Sequence, residues 1–147
     1  MADKNKMLSA DRVYTSLLEI VKRHNYDFDD DDEIMTVNFD VQYNGDLVSF
    51  TVTVDAERQL IRLYSPLGVQ VDDDIKFESS ALICKFSHEI ENGSLDYDLY
   101  SGSVEFRVAT SFNGSLISDS LLEDMVSYTC LIVVKYTAKL TEALAEA

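Results

Sequence analysis

The strongest constraint on this chain is the stretch "EIMTVNFDVQYNGDLVSFTVTVD", residues 33–55, where apolar and polar residues alternate on both sides of one Asn-Gly pair. A period of two puts Met35, Val37, Phe39, Val41 and Tyr43 on one face of a strand. It puts Val48, Phe50, Val52 and Val54 on the matching face of the next. Asn44-Gly45 supplies the positive φ angles of a two-residue type I′ turn. That turn sets Val41 opposite Val48, Phe39 opposite Phe50 and Val37 opposite Val52. A slip of one residue would carry every apolar side chain to the wrong face, so turn and pattern specify one hairpin together. A lone hairpin is marginal in water, and the rest of the chain must cover its greasy face.

The segments around it read as that cover. "SADRVYTSLLEIVKRHNY" predicts an amphipathic helix capped by Ser9, with Val13, Tyr14, Leu17, Leu18, Ile20, Val21 and His24 on its apolar arc. "DFDDDDE" then breaks the helix and reads as a solvated loop, because its acids repel one another. "RQLIRLYS" predicts a third strand that ends at Pro66. "VDDDIKFESSALICKFSHEIENG" predicts a second helix, with Ile75, Leu82, Ile83, Phe86 and Ile90 as its core stripe and Asn92-Gly93 at its end. In "NGSLDYDLYSGSVEFRVATSFNG" a turn at Ser101-Gly102 sets Leu99 against Val104, Tyr97 against Phe106 and Leu95 against Val108, with Asp96 meeting Arg107 on the other face. A three-residue loop there would shift this register by one. Ser118 caps a last helix whose apolar arc is wider than a surface helix needs. Its run Leu131-Ile132-Val133-Val134 could be a strand by itself, but its setting argues helix.

The order is α-β-β-β-α-β-β-α. Hairpins imply an antiparallel five-stranded sheet, and three amphipathic helices must cover mainly one face of it, giving an α+β two-layer sandwich. One proline, five glycines and 46% hydrophobic residues leave no linker composition, so residues 1–147 read as a single domain with an ordered core from about residue 8 to residue 144.

The balance of 12 basic against 27 acidic residues, net −15, disfavours nucleic acid and anionic membrane surfaces and favours a basic or amphipathic partner. The first residues carry no apolar signal region, and no run is long enough to span a membrane. Cys84 and Cys130 belong to no paired-cysteine motif, which suits a reducing cytoplasm. Asn92-Gly93-Ser94 and Asn113-Gly114-Ser115 read as turns rather than glycosylation sites.

One segment carries a resemblance. Gly93, the acidic alternation Leu95-Asp96-Tyr97-Asp98, the turn Ser101-Gly102, the strand Val104-Glu105-Phe106-Arg107, and Ser118 with Leu121-Leu122 behind it follow one another. This pattern resembles bacterial sensory transduction regulators of the YbjN type, which share their fold with type III secretion chaperones. The resemblance runs from about Leu8 to Leu144, with Phe86-Ser87 standing where such proteins often carry Leu-Asn. It implies the type III secretion chaperone-like fold and a noncatalytic module that binds a protein or peptide, often as a homodimer. It supplies no active-site residues.

The candidate sites are few. The acids among residues 27–33 could ligate a divalent cation, but Asp32 and Asn38 stand where a calcium loop beginning at Asp27 needs glycine and an acid. Cys84 and His88 share a helix face and could activate a thiolate or hold a metal, which defines the alternative of a small metal- or thiol-dependent enzyme. Phe77 and Ala81 lie on that same side, so a second apolar packing stripe on a buried helix is the plainer reading. His24 reads as a core or capping histidine. No cofactor-binding or catalytic motif occurs, and the chain is read as having neither cofactor nor catalytic residues. On the last helix Tyr128 and Leu131 fall on a line with Asp124, Lys135, Lys139 and Glu142, which marks Tyr128 and Leu131 as partner or dimer contacts.

Overall fold

The register expected for the first hairpin is the one observed: Val37 lies across from Val52, Phe39 from Phe50 and Val41 from Val48. Asn44 and Gly45 carry the positive φ values of the turn, 49° and 88°. The computed structural model describes residues 2–113, 115 and 117–146. The elements are α1 (Lys4–Arg23), β1 (Phe28–Asp31), β2 (Thr36–Tyr43), β3 (Asp46–Asp55), β4 (Leu60–Gln70), α2 (Lys76–Glu89), β5 (Ser94–Tyr97), β6 (Ser103–Ser111) and α3 (Asp119–Ala145). The strands form an antiparallel sheet in the order β1-β2-β3-β4-β6-β5.

One face of the sheet buries Val37, Phe39, Phe50, Val52, Ile61, Leu63, Val104, Phe106 and Val108 in a single apolar cluster with the helices. α3 lies along β4 and touches α1 and α2, so the helices make one layer over that face. The Phe39 and Phe50 rings stack at 4.7 Å, and Tyr26 and His24 continue the stack toward the end of α1. The other face is polar and cross-linked by side chains. Thr51 Oγ1 donates to Asn38 Oδ1 at 2.7 Å, Ser49 Oγ to Asp40 Oδ1 at 2.7 Å, and Arg62 pairs with Asp55 at 2.7 Å. The architecture is thus the α+β sandwich expected, with one strand more.

The extra strand is the acidic run. Residues 28–31 are not a loop but β1, an edge strand with Phe28 opposite Phe39 and Asp30 opposite Val37. Asp30 therefore points to the helix side, where Tyr14 Oη donates to its Oδ2 at 2.9 Å. An inward charge and a row of acids on an edge strand discourage a second sheet from docking there, so here the acids suit a strand.

Four other expectations shift. α1 begins at Lys4, because Asp3 has extended backbone and its carboxylate accepts from Lys6 N at 2.8 Å; Ser9 lies inside the helix. The acids of residues 72–74 precede α2, which opens from a short 3-10 turn at Asp73–Ile75. β4 does not stop at Pro66 but runs on to Gln70 along β6, with an irregularity between the two positions. The second hairpin pairs Leu95 with Phe106 and Tyr97 with Val104, two residues from the expected register. Asp98 causes this: its Oδ1 accepts from Tyr100 N at 2.9 Å, and its main chain closes on Gly102 and Ser103, building a longer turn. A shift of two preserves the inward face, and only Leu99 leaves the strand. Arg107 still reaches Asp96 at 3.0 Å, diagonally past Glu105. Ser118 caps α3 as expected, its Oγ accepting from Leu121 N at 3.1 Å, and residues 131–134 are helical. The turn expected at Asn113-Gly114 lies outside the described residues at Gly114.

Candidate functional site

α2 is narrow in what it buries. Ser79, Ile83 and Phe86 face inward, whereas Phe77, Ala81, Cys84 and His88 point to solvent. The packing stripe expected for those four is therefore an outward one. α2 sits at the β5 margin of the sheet, where one helix face is enough to cover it. Phe77 is 80% exposed, and Tyr100, at the tip of the neighbouring β5–β6 turn, is 96% exposed. Lys76 joins the two by donating from Nζ to Tyr100 O at 2.7 Å, while Tyr97 Oη donates to Lys76 O at 3.0 Å. This end of the molecule thus shows aromatic surface held on a fixed frame.

The two residues singled out on α3 part ways. Leu131 is 52% exposed. Tyr128 is half-buried: its ring meets the edge of Phe106 at 6.1 Å, and its hydroxyl donates to Asn92 O at 3.0 Å. Tyr128 therefore fastens α3 to the α2–β5 connection, and Leu131 alone is open on that line.

Cys84 and His88 share the exposed face of α2 as their spacing requires, and Cys130 is buried in α3, so the cysteines do not meet. Among the described residues no three His, Cys, Asp or Glu side chains converge as metal ligands. His24 is the C-terminal capping residue of α1, stacked on Tyr26 at 5.3 Å and 3.6 Å from Glu123 of α3. Among the described residues no helix is long and apolar enough to cross a membrane.

Burial pushes the Cys130 thiol up to about 11. An unfolded thiol ionises near ~8.5. The raised folded value means that the neutral thiol's contribution is full below the unfolded pKa and is lost as pH rises toward 11. Tyr14 is shifted the same way, by burial first and then by its bond to Asp30. Stability measured by urea unfolding is expected to fall by about 2–3 kcal/mol between pH 8 and pH 11 through Cys130 alone. Cys130→Val is expected to flatten that fall; an identical alkaline slope in the variant would show that the thiol is not its source.

The signals for this surface lay partly in plain view. Periodicity groups Phe77 with Ala81, Cys84 and His88, which gives a shared face but not its direction. Tyr100 follows a leucine at a turn, and only the five-residue connection 98–102 reveals that it projects outward.

No protein-family model matches the chain, and no curated protein matches it in sequence. Solved structures match its shape. YbjN from E. coli, a candidate transcription regulator, superposes with a TM-score of 0.62 at 10% identity, over 90% of this chain and 92% of that one. A chain of the ExsC–ExsE complex gives 0.57 at 16% identity, over 92% and 95%. A chain of the HopA1–SchA chaperone–effector complex gives 0.57 at 12% identity, over 97% and 99%. The fold is that shared by YbjN and type III secretion chaperones, as the resemblance implied. At these identities what is shared is the fold.

Proposed function

We propose that this chain is a noncatalytic, cytoplasmic module that binds a protein or peptide and associates with itself. The observation that carries the reading is the outward apolar row of α2, from Phe77 through Ala81 and Cys84, with Tyr100 beside it and Leu131 exposed on α3. Large apolar side chains held on helices and a pinned turn make anchors for another surface, because little backbone freedom is lost on docking. The net charge of −15 favours a basic or amphipathic partner. Two solved structures of the same fold come from complexes, one of them described as chaperone with effector. Two free cysteines agree with a reducing compartment.

Phe77→Asp with Leu131→Asp is expected to reduce a dimeric mass by light scattering to that of the monomer, with the circular dichroism spectrum unchanged. Tyr128 is left alone, because its replacement would break the Asn92 contact. A wild-type mass equal to one chain at all concentrations would remove self-association. Absence of any stoichiometric protein after affinity purification from the native cell would remove the binding role.

A further inference from the structure

β3 and β4 part at Pro66. Their ladder joins residues 51–55 to residues 60–64 and goes no further. β3 continues along β2 back to Asp46, and β4 continues along β6 to Gln70. Pro66 has no N–H to give β3. Ser65 Oγ donates to Ser49 O at 2.6 Å in its place, and Gly68 N–H turns to Thr137 Oγ1 of α3 at 3.3 Å. The result is a notch within the sheet, backed by α3, that forms a half-open cavity of about 430 Å³. Val48, Leu67, Val133 and Val134 supply apolar walls, and Asp46 is the one charged residue among those lining it.

The main chain along this notch has a direction. Val54 N donates to Met35 O, and Asp40 N turns away from β3 to Asp27 O. In an antiparallel ladder these choices alternate, so Leu47, Ser49 and Thr51 turn their backbone groups toward β4. Thr51 pairs with Tyr64 there, whereas Leu47 and the Ser49 N–H have no ladder partner in β4, Ser49 O being taken by Ser65 Oγ. Such a row is a template for another strand.

We propose that the notch receives one extended segment of a partner protein, its backbone paired with Leu47 and with the Ser49 N–H, an aliphatic side chain in the cavity and a lysine or arginine beside Asp46. The assignment rests on the reading of the chain as a peptide-binding module. Charge selects the occupant. No Lys or Arg lines the cavity, and a chain of net −15 disfavours an acidic segment in it.

The test uses a labelled synthetic peptide alternating isoleucine with lysine and threonine, and a twin with glutamate for lysine. Binding is followed by anisotropy and located by backbone amide NMR. A Cβ at Gly68 meets only Thr137 Cγ2 at 3.4 Å, so Gly68→Leu fills the cavity without straining the backbone. The basic peptide is expected to bind with amide shifts at Leu47 and Ser49, and to bind Gly68→Leu about tenfold more weakly at an unchanged melting temperature. Asp46→Lys, which leaves the cavity open, is expected to narrow the preference between the two peptides. Shifts confined to the outer edges at β1 or β5, or full affinity in Gly68→Leu, would overturn the notch while the binding role stands. If the wild type binds neither peptide but retains a stoichiometric native partner, the notch falls alone; if it retains no partner either, both readings fall.

Discussion

Truncating Phe106 to alanine is expected to lower the stability of the protein by about 3–5 kcal/mol in urea unfolding, with the slope of the transition unchanged. Phe106 is fully buried on β6, between Leu95 of β5 and Ser65 of β4. Its ring takes the edge contact from Tyr128 of α3. The loss therefore combines the transfer of a large side chain with a cavity that three rigid elements cannot close. Against the roughly 5–15 kcal/mol typical of a whole domain, that is a large share. A cost below about 1 kcal/mol would mean that the site collapses around the gap, and that β6 is not the tightly packed centre described here.

Gly93→Ala is expected to be comparably severe, at about 2–5 kcal/mol, and to act through the backbone. Gly93 joins α2 to β5 at φ +99°, and a Cβ there would stand 2.7 Å from Arg107 O and 2.7 Å from the Phe106 ring. The ring could yield, but the carbonyl belongs to the sheet and cannot. Combining Gly93→Ala with Phe106→Ala should cost less than the sum, because the ring half of the clash disappears. Strict additivity in that double mutant would show that Arg107 O alone sets the penalty.

What could be read from the residues was whatever is decided locally. The Asn44-Gly45 turn and the alternation on either side act within a few residues, and together they specified the β2–β3 register. Ser118 did the same for α3. The β5–β6 register went astray because Asp98 recruits Tyr100 N and builds a turn that alternation does not encode. β1 was missed for a different reason. Acids oppose strand formation on average, and the run becomes a strand only because β2 offers an edge and Tyr14 meets Asp30. The same applies to the candidate surface. Helical spacing grouped Phe77, Ala81, Cys84 and His88 correctly, yet the side they face is set by where α2 lands on the sheet. The departure of β3 from β4 has a signal in "SPLGVQ", where a proline interrupts a ladder, but a proline there fits the end of a strand as well as the start of a gap.

Four of the five ladders among the described residues join strands that follow one another along the chain; only β4 with β6 does not, and it brings Leu60 to Ser111. Closing it loops the chain through α2 and β5, which lie between the two strands in sequence. Within the sheet, loop-closure entropy thus falls mainly on one junction, so the meander β1–β4 carries a low contact order and the docking of β6 the high one. Assembly rate should consequently depend on the connection through Gly93 far more than on the acidic edge at the opposite side of the sheet.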